Sequence, residues 1–328
     1  MMARKPKVAF YWAASCGGCE ITITELGLRL VELGEQVEIV FWPCAMDFKY
    51  DDVRAMKKGE IDICLFNGAI RSDENKHIAD LLREKSKILV AFGACAHMGG
   101  IPGLANLYDK EGLLKFVYDE APTLDASKGT RPVAVTKVKE GEIHLPTLYD
   151  HVRTLAQIVD VDYSMPGCPP VVDQVWEVMQ IILKGKLPAK GSVIGVHPKT
   201  NCDECKREKG KSGFRVKEFK RPHEVLLDPN TCFLTQGVIC YGVATRAGCG
   251  LPCVNANFPC RGCYGAPEGV EDQGAKLLSA IAALVDTEKP EEIAGIMDSF
   301  IDPMGTCYRF GTAASILNEL KYKKGGES

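Results

Sequence analysis

No apolar run in this 328-residue chain approaches the length of a membrane span. The longest, residues 277–285, is about half of the roughly 20 residues required. Charge of one sign is also lacking: the net value is −3, which gives no reason to expect nucleic acid as a general partner. There are no internal repeats and no low-complexity tract. The short basic start leads straight into an apolar run at residues 8–12, leaving no room for a secretory or twin-arginine signal, so the expected compartment is the cytoplasm. Hydrophobic residues at 46% and charged residues at 25% are the profile of an ordinary globular protein. The length suffices for two domains.

Cysteine is what the chain has in excess. Fifteen cysteines in a reducing compartment do not form a disulfide framework. The count is odd, and several sit beside glycine or proline in irregular segments. Thiolates select zinc, copper(I) or iron–sulfur clusters, so spacing decides among these.

The first half alternates between apolar runs and amphipathic stretches. Strands are predicted at residues 8–12 (VAFYW), 37–42, 61–66 (IDICLF), 88–92 (ILVAF) and 160–164. Helices are predicted at 21–33, at 73–85 with Ser72 as N-cap, and at 171–183. This is a doubly wound α/β pattern, a parallel sheet covered on both faces. Ligands of such sheets bind at the carboxyl ends of strands, as in flavodoxin-like proteins, and there the loops SCGGCE, FGACAHMGG and MPGCPP carry cysteine. Beyond residue 184 periodicity fades through 185–270, where metal clusters offer a source of order in place of a sizeable apolar core. Helix returns at 273–285 and 312–321. A boundary near 185–191 divides the chain into units of 1–186 and 187–328.

Cys16 and Cys19 form a C-x2-C in the first loop, and Cys95 and Cys168 follow on loops of the same sheet edge. Four thiolates are the usual complement of a 4Fe–4S cluster. Downstream lie a second C-x2-C, Cys202 and Cys205, then Cys232, Cys240, Cys249 and Cys253, and a third pair, Cys260 and Cys263. These eight suffice for two more cubanes. Cys64, inside an apolar strand, reads as a small buried hydrophobe; Cys44 and Cys307 receive no role. Structural zinc is the alternative, but zinc sites usually draw their ligands from two close pairs. The ferredoxin run C-x2-C-x2-C-x3-C-P is absent.

The set CGGC, GAC, PGCPP, CDEC and PCRGC, with segments such as FYWAASCGGCE, FWPCAMDFKYDDV and AFGACAHMGGIPGLAN, resembles the small subunit of nickel–iron hydrogenases. Within them the chain is most similar to the cytoplasmic methyl-viologen-reducing, deazaflavin-non-reducing type of methanogens and some bacteria, over about residues 8–308. The resemblance implies a flavodoxin-like first domain binding a proximal cluster through Cys16, Cys19, Cys95 and Cys168. It assigns Cys202, Cys205, Cys232 and Cys240 to a distal cluster, and Cys249, Cys260 and Cys263 to a medial one. Periplasmic relatives have histidine where this chain has Cys202, and a proline at Cys253 beside a three-iron medial cluster. Both departures favour three all-cysteine 4Fe–4S clusters.

The resemblance also implies electron transfer rather than catalysis by this chain. Dihydrogen is split on a separate nickel–iron large subunit. Electrons leave toward a small iron–sulfur delta-type subunit and heterodisulfide reductase. Glu20 could carry a proton near the subunit interface or cap the following helix; His97 could hydrogen-bond a cluster or serve as a core histidine. Residues 206–221, with eight basic and two acidic side chains, read as a solvated loop, or as a dock for an acidic acceptor through Lys217 and Lys220. Two rival classes remain. One is the single-cluster subunit of complex I or membrane-bound hydrogenases, which resembles only the first domain. The other is a zinc-stabilised binding protein.

Overall fold

The computed structural model describes residues 4–125, 129–210, 214–285 and 287–318. Its first strand, β1 (Lys7–Trp12), sends alternate side chains to opposite faces. Two helices follow where one is predicted: α1 (Gly18–Thr24) and α2 (Leu28–Gln36) are separated by Gly27, at φ 59° and ψ −125°. That backbone suits glycine and few other residues, so apolar spacing continues through a position where the chain turns.

Strand β2 (Glu38–Phe41), helix α3 (Tyr50–Ala55), and strands β3 (Ile61–Asn67) and β4 (Ile70–Ser72) come next. Helix α4 (Asp73–Lys85) has the predicted bounds, and the Ser72 hydroxyl accepts the Asn75 N–H at 3.2 Å. Strand β5 (Ser86–Phe92) leads into α5 (Ala94–Met98) and later α6 (Lys110–Lys115). The hairpin β6 (Val135–Val138) and β7 (Gly141–His144) is exposed throughout, and β8 (Leu148–Arg153) pairs antiparallel with β4. Strand β9 (Tyr163–Met165) and helix α7 (Val172–Leu183) complete the unit.

The sheet order is β2-β1-β3-β5-β9, and every pairing is parallel. This is the flavodoxin-like order, with its switch point between β1 and β3. Val8, Phe10, Ile63, Leu65, Val90 and Phe92 face one core with Leu33, Val175 and Met179. Ala9, Tyr11, Cys64, Phe66, Leu89 and Ala91 face the other with Val53, Ile78 and Leu82. Cys64 is fully buried there, as its apolar strand suggests.

Ile194 still belongs to the first core, and Val193 bridges Ser164. Thereafter elements are short: β10 (His197–Thr200), α8 (Asn201–Glu204), β11 (Arg246–Ala247) and α9 (Pro252–Asn255). Helices α10 (Gln273–Ala282), α11 (Pro290–Asp298) and α12 (Pro303–Cys307) follow. The expectation that clusters replace an apolar core in this half needs correction. Val216, Phe219, Phe233, Val238, Leu277, Ile281, Ile296 and Phe300 form a buried core, assembled from residues too scattered to show periodicity.

The helix expected over 312–321 is described as a 3-10 turn at Thr312–Ala314 and a helical stretch to residue 318, beyond which it lies outside the described residues. This segment packs back on the first unit: Gln157 Nε2 donates to the Ala313 carbonyl at 2.9 Å, and Gly100 N–H to the Phe310 carbonyl at 3.0 Å. Among the described residues no helix is long and apolar enough to cross a membrane.

Candidate metal centre

Loops at the carboxyl ends of β1, β5 and β9 bring Cys16, Cys19, Cys95 and Cys168 together. Burial pushes the Cys19 thiol far up, and Cys95, Cys168 and Cys16 push it further. Burial, then Cys168 and Cys16, raises Cys95 to about 12. Gly93, at φ 87°, lets the backbone pass beneath this group: a Cβ there would lie 2.3 Å from Cys19 Sγ. The Gly18 N–H donates to Cys16 Sγ at 3.4 Å.

A second group centres on Cys260. Its sulfur opposes ionisation of Cys249, Cys253 and Cys263, whose thiols are all raised chiefly by burial. Cys253 stands at the exposed end of the group, on α9. Buried Asn201 lies between two of the sulfurs, donating from Nδ2 to Cys260 Sγ at 3.4 Å while the Cys249 thiol reaches Oδ1 at 3.6 Å.

The third group lines one cavity of about 480 Å³, where Cys202, Cys205, Cys232 and Cys240 meet Phe214 and Phe233. A Cβ on Gly242 would lie 3.0 Å from Cys202 Sγ. Arg207 supports the cavity from below. Its guanidinium donates to the carbonyls of Asp228, Thr231 and Val254 and to Asn257 Oδ1, with its carbon 3.9 Å from the Phe233 ring centre. A buried arginine needs such complete partnering.

The solvated-loop reading of 206–221 holds for most of its charged side chains, with three residues of the run as exceptions. Arg207, Val216 and Phe219 are buried, because arginine and apolar residues in that run anchor it inward. Lys217 and Lys220 remain exposed, and residues 211–213 lie outside the described residues.

Each group of cysteines touches the next. Cys263, in the second, feels Cys168 of the first, whose backbone N–H favours the Cys263 thiolate. Cys240, in the third, feels Cys260 of the second, whose backbone N–H favours the Cys240 thiolate. Cys202 also feels Cys260. Among the described residues no three His, Cys, Asp or Glu side chains stand close enough to hold a single metal ion. Buried thiols that oppose each other's ionisation, yet have backbone N–H groups at their sulfurs, fit a cationic multi-iron group that converts them to thiolates.

Glu20 is not a helix cap. Its buried carboxylate accepts from Trp42 Nε1 at 2.6 Å and Asn67 Nδ2 at 3.4 Å, with the Cys44 thiol at 3.5 Å. Tertiary donors outcompete the α1 terminus, whose N-cap is Gly17. Burial and then Glu20 raise Cys44 to about 11. His97 lines a separate cavity of about 210 Å³ with Arg246, Asp272, Cys307 and Tyr308. Burial, then Arg246, keeps its imidazole neutral by lowering it to about 4. Cys307 is buried in the wall of that cavity. Asn201 carries no signal in the sequence: one asparagine before a C-x2-C is ordinary N-terminal helix chemistry.

The family described as NADH ubiquinone oxidoreductase, 20 Kd subunit, matches residues 16–182. The F420-non-reducing hydrogenase iron-sulfur subunit of Archaeoglobus profundus is 38% identical over 325 residues, covering 97% of this chain and 99% of that protein. The corresponding F420-non-reducing hydrogenase subunit of Methanothermobacter marburgensis is 37% identical over 333 residues, covering 99% and 100%. A chain of the solved NAD+-reducing nickel–iron hydrogenase is 34% identical, covers 56% of this chain and 94% of that one, and superposes with a TM-score of 0.47. Matched over nearly its whole length by the two archaeal subunits, and over its cysteine-bearing first unit by the family, the chain belongs to the small subunits of nickel–iron hydrogenases of the F420-non-reducing type.

Proposed function

We propose that this chain is the electron-transfer subunit of a cytoplasmic nickel–iron hydrogenase. It would relay electrons from H2 oxidation on a separate large subunit through three 4Fe–4S clusters. Cys16, Cys19, Cys95 and Cys168 would hold the proximal cluster, in a unit spanning roughly residues 1–186. Cys249, Cys253, Cys260 and Cys263 would hold the medial cluster and Cys202, Cys205, Cys232 and Cys240 the distal one, in the unit from 187 onward. The observation that carries this reading is the unbroken succession of neighbouring sulfurs, with Cys263 beside Cys168 and Cys240 beside Cys260. When bound, the clusters supply one-electron carriers.

The chain's own residues hold, space and shield those carriers. Exposed Trp12, Ile21 and Leu28, on elements flanking exposed Cys16, form apolar surface suited to the large subunit. Trp42 and Asn67 fix the Glu20 carboxylate beside Cys19, where it could pass a proton at the interface. Buried Phe233 and partly buried Phe214 limit water at the distal group.

The acceptor would be an acidic iron–sulfur protein of the delta type, coupled to heterodisulfide reductase and docked near Lys209, Lys217 and Lys220. Lys209 reaches the Cys202 carbonyl at 2.7 Å. In Lys217→Glu/Lys220→Glu, acceptor-coupled H2 oxidation is expected to slow roughly tenfold at low salt, with H2-driven viologen reduction unchanged. Equal acceptor rates in variant and wild type would remove this dock. For the whole reading, anaerobically purified complex should contain about twelve irons and about twelve sulfides on this chain, and nickel should copurify. About four irons would instead support the single-cluster class; zinc without sulfide would end the relay.

A further inference from the structure

We infer that Asn201, the residue that joins the medial and distal groups, sets the reduction potential of the medial cluster through its side-chain amide. The inference rests on the three-cluster reading above. Asn201 opens α8, its N–H donating to the Thr245 carbonyl at 2.8 Å and its own carbonyl accepting the Cys205 N–H at 3.0 Å. Its backbone is thus locked between the two cysteine groups. Only 3% of the residue is exposed, and it lines the cavity that holds the distal cysteines.

The side chain faces the other way, toward Cys249 and Cys260. In the thiol form Cys249 can donate to Oδ1 while Nδ2 donates to Cys260. Once both sulfurs are metal-bound thiolates, neither can donate, and the amide N–H is what remains useful to them. Thr245 is the other side chain near Cys260 Sγ, at 3.7 Å, but its hydroxyl already donates to the Tyr241 carbonyl at 2.7 Å. Asn201 thus offers Cys260 Sγ a side-chain N–H, in contrast to the engaged Thr245 hydroxyl. A donor to cluster sulfur favours the reduced, more negative form and raises its potential. Its contact with a distal cysteine is the backbone bond to Cys205, whereas its amide contacts are to Cys260 and Cys249, so the amide acts on the medial cluster. It is a positioning residue and takes no part in bond making.

Potentiometric EPR titration of the intact complex tests this. Asn201→Leu should shift the medial reduction equilibrium about tenfold toward the oxidised form, a fall of about 59 mV for one electron. Proximal and distal values should hold. Asn201→Asp, which removes the N–H and keeps the shape, should lower the medial value at least as far, and Asn201→Gln should restore part of it. An unmoved medial potential in a variant retaining about twelve irons overturns the inference. So does loss of iron in both Asn201→Leu and Asn201→Asp, which would make the residue purely structural. Wild-type complex short of about twelve irons strikes the three-cluster reading instead, before any variant is compared.

Discussion

Gly93→Ala is expected to remove one cluster and leave two: iron should fall from about twelve to about eight per chain, at four irons per cubane. At φ 87° an alanine is strained, and its Cβ would sit 2.3 Å from Cys19 Sγ and 3.6 Å from the Gly167 carbonyl. The first neighbour is the sulfur of a short, buried side chain and the second is backbone. Cys19 is buried in the first turn of α1, and the Gly167 carbonyl is already engaged by the Ala94 N–H at 2.7 Å. The sulfur must therefore leave its place in the quartet. The other groups should load normally, because Cys205, Cys240, Cys249 and Cys260 stand on the separate core around Phe233 and Leu277. H2-driven dye reduction should drop by about 10–100-fold or more, the usual cost of disturbing the support of metal ligands. Gly34→Ala is the control: it lies on exposed α2, where an added Cβ meets nothing within 4 Å. Iron analysis and EPR spin counting on both variants decide the matter. Full iron in Gly93→Ala would mean that Cys19 is not a ligand.

The reach of the sequence follows from what each feature depends on. Strands β1, β3 and β5 are legible because they are buried on both faces and so read as continuous apolar runs. Helix α4 is legible to the residue because its signals are local, a serine cap and an acidic first turn. The hairpin β6–β7 is not, since its side chains are exposed and alternate against nothing. Nor is the short strand β4, whose Ser72 pairs with Leu148 of β8 across the whole intervening stretch of chain. The break at Gly27 is hidden because glycine inside a helical pattern is tolerated often enough to be read through.

For the metal centre, grouping by strand end is legible because doubly wound sheets direct their loops to one edge. What stays hidden is everything set by side-chain direction. Glu20 follows a cysteine in a first helical turn, and position alone suggests a cap. Its actual partners, Trp42, Cys44 and Asn67, come from two other strands' ends. Arg207 looks like one cation in a basic run, yet its four acceptors lie 21 to 50 residues downstream. Such long-range polar pairing has no period and leaves no trace in composition.

The second large effect concerns Cys253, the fourth ligand in the proposed medial set. Cys253 follows Pro252 at the start of α9, after Leu251 at φ 58°. Its thiol is exposed and neighbours Cys260 and the half-buried Arg261. A ligand at an open corner can be removed without unbuilding the rest, so Cys253→Ala should lose about one iron rather than about four. A three-iron EPR signal should then appear in the oxidised complex, with a medial potential above that of wild type. Cys260→Ala should behave differently. Cys260 is buried, opposes ionisation of three other thiols in its group, accepts the Asn201 amide and presents its N–H to Cys240. Its loss should take the whole medial cluster, about four irons, and stop electron passage, so that viologen reduction at the distal end fails. The contrast between one iron and four is what matters: if Cys253→Ala retains about twelve irons, the fourth medial corner is held by another residue.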